Sequence, residues 1–223
     1  MRSRVTIAIL AGGRSSRFGG RDKQELLYEG EMLGRRVARQ ALALGVPVVV
    51  AGSNPRPYAG MGLNLVRDEA PGFGPISGLY TALGASTRPW VYLIACDMPL
   101  MEAAWLDSLL ALAAKGEAEG VQAIAALRGE DIEPFHALYA RTLLPELTSL
   151  FSGPRLDPRQ YSFSSLIRRV KRILVPEEIV RQSSPDWGIF RGINDPGELL
   201  AFSPSQGLPR LVDERDNLLS TLE

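Results

Sequence analysis

The chain is poor in the side chains that carry out most enzyme chemistry. Its 223 residues include one cysteine, Cys96, and one histidine, His136. A lone cysteine excludes an internal disulfide and a cysteine-built zinc site. A lone histidine excludes any two-histidine metal motif, and a Ser-His-Asp triad has to pass through His136. Net charge is missing too: 25 Lys and Arg balance 25 Asp and Glu. With no basic surplus to drive counterion release, a nucleic-acid partner is not expected. No apolar stretch approaches the ~18 residues needed to cross a bilayer, so a membrane partner is not expected either. The apolar run at residues 5–10 is too short for a signal-peptide core, and no small-residue cleavage site follows it. A cytoplasmic location is the expectation.

What is present fits a packed globular domain, with 45% hydrophobic and 22% charged residues. Residues 5–10, 46–50, 63–66 and 90–95 read as strands, the first and last as near-continuous apolar runs buried on both faces. Residues 33–44 carry a helical stripe (Leu33, Val37, Ala41, Leu44) that Gly45 stops. Gly74-Pro75 opens a second helix with Ile76, Leu79, Tyr80 and Leu83 on one face. Residues 102–115, 141–151 and 162–170 read as further helices, and 121–127, 135–140 and 172–175 as further strands. This alternation predicts an α/β fold: a Rossmann-like, mostly parallel sheet with helices on both faces. Residues 1–202 form the expected single domain. Residues 152–165 read as a mobile loop, and 203–223 as a linker followed by a polar tail.

In such sheets ligands sit at the carboxyl ends of the strands. After the first strand comes Gly12-Gly13-Arg14-Ser15-Ser16-Arg17-Phe18-Gly19-Gly20-Arg21-Asp22-Lys23. Glycines let backbone N–H groups approach an anion, and Arg and Lys add charge-assisted bonds to phosphate oxygens. The stretch is a candidate triphosphate cradle, although it matches neither the Walker A pattern nor Gly-x-Gly-x-x-Gly. A solvent turn with arginines for solubility is the plain alternative. Asp97 follows the strand at 90–95 in Cys96-Asp97-Met98-Pro99. A carboxylate there suits Mg²⁺, which takes one or two protein carboxylates and completes its shell from phosphate and water. A helix cap accounts for Asp97 as simply. Cys96 reads as a small buried residue. Arg67-Asp68 precedes the helix start at Gly74, and Asp68 suits a base or ribose better than a phosphate. Arg191-Gly192-Ile193-Asn194-Asp195-Pro196 reads as a turn before a helix at 197–202.

Together these segments resemble the molybdenum cofactor guanylyltransferases, nucleotidyltransferases with a sheet of the nucleotide-diphospho-sugar transferase type. The resemblance rests on residues 10–23, on Arg67-Asp68 with Gly74-Pro75-Ile76-Ser77-Gly78, and on Cys96-Asp97-Met98-Pro99. Glu133-Pro134-Phe135-His136-Ala137-Leu138-Tyr139 and Ile193-Asn194-Asp195-Pro196 also fit. It implies transfer of GMP from GTP to the terminal phosphate of molybdopterin, with release of pyrophosphate. It implies backbone contacts to the guanine nucleotide from Leu10, Ala11, Gly12 and Gly13. Arg17 and Lys23 would neutralise the phosphates, Asp68 would face the nucleoside, and Asp97 would bind Mg²⁺ and GTP. His136 and Asn194 would line or support the acceptor side. The attacking phosphate is already an anion at neutral pH, so no general base is required. Molybdoenzymes or cofactor-delivery proteins are the implied protein partners. The family pattern near residue 192 is Asn-x-Asn-x-Pro; Gly192 replaces its first Asn, at a contact to the acceptor or the metal. Three rivals stay open: a CTP-using cytidylyltransferase, a transferase acting on a sugar or alcohol phosphate, and a nucleotide-binding regulatory subunit. Against the first, Gly12 stands where that relative tends to carry alanine, and leaves room for a purine.

Overall fold

The computed structural model describes residues 1–12, 22–70, 72–153 and 157–194. Its centre is the strand β1 (Val5–Ala11), buried at all seven positions. Alternate side chains of β1 enter two separate cores, as a period of two requires. Val5, Ile7, Ile9 and Ala11 pack on one face with α1 (Leu33–Ala43) and α3 (Ala103–Gly116). Ala8 and Leu10 pack on the other with α2 (Pro75–Ala85). Helices α4 (Leu144–Ser152) and α5 (Phe163–Arg169) join the second face, and α6 (Glu177–Ser183) joins the first.

A hairpin of β2 (Leu27–Tyr28) and β3 (Glu31–Met32) stands apart from the main sheet. The remaining strands are β4 (Val48–Gly52), β5 (Asn64–Val66), β6 (Trp90–Ala95), β7 (Ala123–Arg128), β8 (Asp131–Ala140) and β9 (Arg172–Val175). With β1 they form one seven-stranded sheet in the order β5-β4-β1-β6-β8-β7-β9. Only β8 is antiparallel to its neighbours; the other six strands run in one direction. The α/β, mostly parallel architecture expected from the sequence is therefore the observed one. After β1 the chain builds β4 and β5 on one side, then crosses to place β6 on the other. The crevice between the carboxyl ends of β1 and β6 is thus the topological switch point, where open α/β sheets bind ligands.

Several boundaries differ from expectation, each for a local reason. β8 begins at Asp131 rather than 135, because Gly129 (φ 59°) closes a two-residue hairpin turn from β7. Its pairing with β7 is interrupted between Ile124 and Ala126. The stretch 152–165, expected to be a mobile loop, carries regular local structure among its described residues. Pro158–Tyr161 form a 3₁₀ turn, and Ser162 caps α5 by accepting the Ser165 N–H at 3.1 Å. The expected helix at 141–151 opens as a 3₁₀ turn, Arg141–Leu143, before α4. The helix at 197–202 and the tail 203–223 lie outside the described residues. No helix among the described residues is long and apolar enough to cross a membrane.

The β1–β4 contact tolerates no side chain at its carboxyl end. Gly52 pairs with Ala11, and a Cβ on it would collide with the Ala11 carbonyl and lie 2.9 Å from the Ala11 methyl. Gly52→Ala is expected to lower the unfolding free energy by about 1–3 kcal/mol. Gly12→Ala, where a Cβ meets nothing within 4 Å among the described residues, is expected to stay within about 0.5 kcal/mol of wild type. Urea unfolding of the two variants checks this; equal stability would refute the packing argument.

Candidate active site

Three segments meet at the switch point. Asp22 opens a 3₁₀ turn, Lys23–Glu25, by accepting the Gln24 N–H, which sets the direction of Lys23. The Lys23 ammonium donates to Asp97 Oδ2 at 2.7 Å and to Asn194 Oδ1 at 2.8 Å. The Lys23 and Asp97 side chains are only 20% and 15% exposed, so bulk ions screen this pair less than a surface pair. Asp97 is placed by β6 two residues upstream, and the Cys96 N–H extends the β1–β6 pairing by donating to the Leu10 carbonyl at 3.0 Å. Asn194 is brought in by its neighbour: the Ile193 N–H donates to the Asp97 carbonyl at 2.9 Å. Gly192 sits against the same cluster. A Cβ there would lie 3.3 Å from Asn194 Nδ2 and 3.8 Å from the Asp97 carboxylate, so the glycine leaves that position open.

Of the residues singled out in the sequence, Lys23, Asp97 and Asn194 are thus in direct contact. Leu10 and Ala11 are buried strand residues. Their carbonyls already accept the Cys96 N–H and the Gln24 side-chain amide. Gly12 is exposed, and among the described residues nothing lies within 4 Å of where its Cβ would stand. Asp68 stands apart, exposed after β5, accepting the Ala70 N–H at 3.0 Å with the Ser77 hydroxyl 2.7 Å away. That pairing fixes it beside the start of α2, where Gly74 (φ 74°) turns the chain into Pro75. Gly13 and Arg17 lie outside the described residues. Burial pushes the Cys96 thiol pKa well up, which removes it as a nucleophile and agrees with its reading as a packing residue.

Of the two roles expected for His136, lining the acceptor side is corrected by its burial. It lines no open surface: it is fully buried in the bulge of β8, at φ 50°. Its Nδ1 is hydrogen-bonded to the Tyr92 hydroxyl at 2.8 Å, and its carbonyl accepts the Trp105 indole N–H at 2.7 Å. The ring meets Phe190 edge-on at 5.7 Å, and Nε2 has no hydrogen-bond partner among the described residues. Burial lowers its pKa to about 3.

The sequence reading also missed the polar residues under the cluster: Gln24, which is buried, and Asn54, which donates to both Asp22 and Glu25. Gln24 stands among charged neighbours, Asp22, Lys23 and Glu25, and Asn54 lies in the turn after β4; Asp22 joins them by accepting from both side-chain amides.

The fold and this cluster define an α/β domain with a partly buried lysine–carboxylate pair at the switch point of a mostly parallel sheet. The chain belongs to the MobA-like NTP transferase domain family, whose model matches residues 7–172. It is 31% identical over 186 residues to a molybdenum cofactor guanylyltransferase of Syntrophotalea carbinolica, covering 83% of this chain and 84% of that one. It is 32% identical over 199 residues to a probable molybdenum cofactor guanylyltransferase of Deinococcus radiodurans, covering 89% of this chain and 94% of that one. Among solved structures, molybdopterin-guanine dinucleotide biosynthesis protein A of Archaeoglobus fulgidus superposes with a TM-score of 0.72 at 22% identity, over 89% of this chain and 97% of that one. At that identity the likeness is one of fold.

The buried neutral His136 makes a pH prediction. Its pKa falls from the ordinary 6.5 when unfolded to about 3 when folded. Between those values the unfolded chain binds the additional proton. Its contribution to stability is therefore full above pH 6.5 and is lost as pH falls toward 3. Urea unfolding across that window is expected to show a slope in wild type that shrinks in His136→Gln. An unchanged slope would show that the histidine is not the group responsible. No limb from this imidazole is expected in turnover between about pH 6 and 8.

Proposed function

We propose that this chain transfers GMP from GTP to the terminal phosphate of molybdopterin, releasing pyrophosphate. The observation that carries the reading is the Lys23 ammonium held between Asp97 and Asn194 at the crevice between β1 and β6. The names of the relatives supply the substrates. Cytoplasmic location, and passage of the product to molybdoenzymes or delivery proteins, belong to the same reading.

The residues present fit a hard divalent cation. Asp97 Oδ2 and Asn194 Oδ1 both lie within 2.8 Å of one cationic nitrogen. They are two hard oxygens converging on a positive charge, the kind of donor Mg²⁺ takes. Mg²⁺ draws its remaining ligands from phosphate and water. Asp97, with Asn194 beside it, would hold Mg²⁺, which when bound supplies positive charge to the phosphates. Lys23 supplies a second positive charge from the protein itself, and Arg17 a third from the glycine-rich stretch. Gly12 leaves the space at the end of β1 clear for the nucleotide. Asp68, held by the Ala70 N–H and beside Ser77, offers its carboxylate to the nucleoside. Since the attacking phosphate is already an anion, alignment and charge neutralisation are the remaining work. A site without a titrating histidine is compatible with that chemistry.

Cytidylyl transfer is the second reading; glycine at position 12, where the CTP-using relative tends to carry alanine, weighs against it. A methyl group there would intrude on a purine at a cost of ~1–3 kcal/mol and spare a pyrimidine. Wild type is expected to turn over GTP faster than CTP with molybdopterin, and Gly12→Ala to narrow that preference from the GTP side. Steady-state pyrophosphate release with both nucleotides checks this. A wild type that preferred CTP would replace the guanylyl reading with the cytidylyl one. Asp97→Ala is expected to lower turnover on the order of 10²-fold or more while leaving the circular dichroism spectrum unchanged. Turnover at the wild-type rate in saturating magnesium would remove Asp97 from the site, and nucleotide binding without pyrophosphate release in wild type would favour a regulatory subunit.

A further inference from the structure

The polar cluster at the switch point has an apolar counterpart. Leu26, Tyr28, Leu33 and Ile193 form a small buried core of their own, apart from the two that flank the sheet. The first three follow the Lys23–Glu25 turn directly, through β2 and into the start of α1. Ile193 comes from far along the chain and is 0% exposed. Backbone bonds tie each side of this core to the site. The Leu26 N–H donates to the Lys23 carbonyl at 3.2 Å, and the Leu26 carbonyl accepts the Leu33 N–H at 2.8 Å. Opposite, the Ile193 N–H donates to the Asp97 carbonyl at 2.9 Å, and Asn194 accepts from the Lys23 ammonium at 2.8 Å. The segment before Ile193 is anchored elsewhere: Phe190 belongs to the core of the first face and meets Trp105 and His136 edge-on at 5.9 and 5.7 Å. Gly192, between these two anchors, has no side chain to hold it. Apolar burial alone accounts for Ile193 being inside. It does not account for a separate core shared with the Lys23 turn, when the large core takes Phe190 just before it.

We propose that the Ile193 side chain is a positioning residue for nucleotidyl transfer: it keys the segment 192–194 to the Lys23 turn, so that Asn194, Asp97 and the Lys23 ammonium hold one geometry. This rests on the nucleotidyl-transfer reading above. A β-branched side chain is stiff at χ1, so it fixes the spacing of the two segments as well as their proximity. In a site that works by alignment, a displacement of about 1 Å can cost on the order of 10²-fold in rate. Ile193 is fully buried and acts through Asn194.

Ile193→Ala, Asn194→Ala and the two combined test this by pyrophosphate release with GTP and molybdopterin. Ile193→Ala is expected to lower kcat roughly 10–10²-fold, with KM for GTP within about threefold of wild type. Ile193→Leu, which keeps the volume, is expected to restore most of the rate. In the Asn194→Ala background, Ile193→Ala should cost no more than about twofold further, because both act at one point. A wild-type kcat in Ile193→Ala overturns the proposal, and so does a loss confined to KM. A loss as large in the Asn194→Ala background as in wild type also overturns it, being the mark of a merely structural residue. A second readout needs no substrate: amide hydrogen exchange in nucleotide-free protein. In Ile193→Ala the amide of Leu26, across the cluster, is expected to exchange about tenfold faster than in wild type. If Ile193→Ala fails to fold, Leu26→Ala opens the same cluster from its other side and takes its place in both measurements, with the amide of Ile193 followed instead. Failure of wild type to transfer any nucleotide counts against the functional reading itself. The exchange comparison then still decides whether Ile193 ties the two segments: unchanged exchange across the cluster overturns it.

Discussion

The site depends on one ammonium group shared between a carboxylate and an amide oxygen. Lys23, Asp97 and Asn194 are separated by long stretches of chain, yet their polar atoms meet within 2.8 Å. A partly buried charge is tolerated only if it is paired, and paired with good geometry. Each element around the crevice supplies part of that geometry. The register of β1 on β6, Leu10 opposite Ala95, fixes where the chain leaves each strand. The Ile193 N–H, bonded to the Asp97 carbonyl, then brings Asn194 to the same point. Remove the pairing of β1 with β6, and the three groups have no reason to meet.

Close packing beneath the crevice makes the arrangement stiff. Gly52 lets the end of β4 lie directly against the Ala11 carbonyl, which in turn receives the Gln24 amide. Gly78 does the same for Leu10, whose methyl lies 2.8 Å from where a Cβ on that glycine would stand. The carboxyl end of β1 is thus held along one edge by β4 and on one face by α2. A site whose work is alignment and charge gains from such rigidity, since misplaced charges would have to reorganise during the reaction. His136 belongs to this supporting structure: it hydrogen-bonds Tyr92, receives Trp105 and touches Phe190 from inside the core.

Much of the fold was legible because its central strands, β1 and β6, are buried on both faces. β1 and β6 read as apolar runs and, like the short strand β9, stand within a residue of where they were expected, and Gly74-Pro75 announced the start of α2. Lys23, Asp97 and Asn194 were legible from their positions after strands and in motif segments. What was not legible depends on tertiary contact. α6 is a short helix whose single buried residue is Val180, too little for a periodic signal. The β2–β3 hairpin has two residues in each strand. The bulge in β8 turns His136 inward, where alternation along the chain does not predict its environment. Gln24 and Asn54 are ordinary polar residues whose burial or bonding follows from packing alone.

The most direct test follows the label in GTP. With GTP labelled at the α-phosphorus and molybdopterin as acceptor, the account predicts that the label enters a pterin–guanine dinucleotide, with one pyrophosphate released for each product formed. Label recovered only as unreacted GTP or free GMP, or release of orthophosphate instead of pyrophosphate, would contradict it.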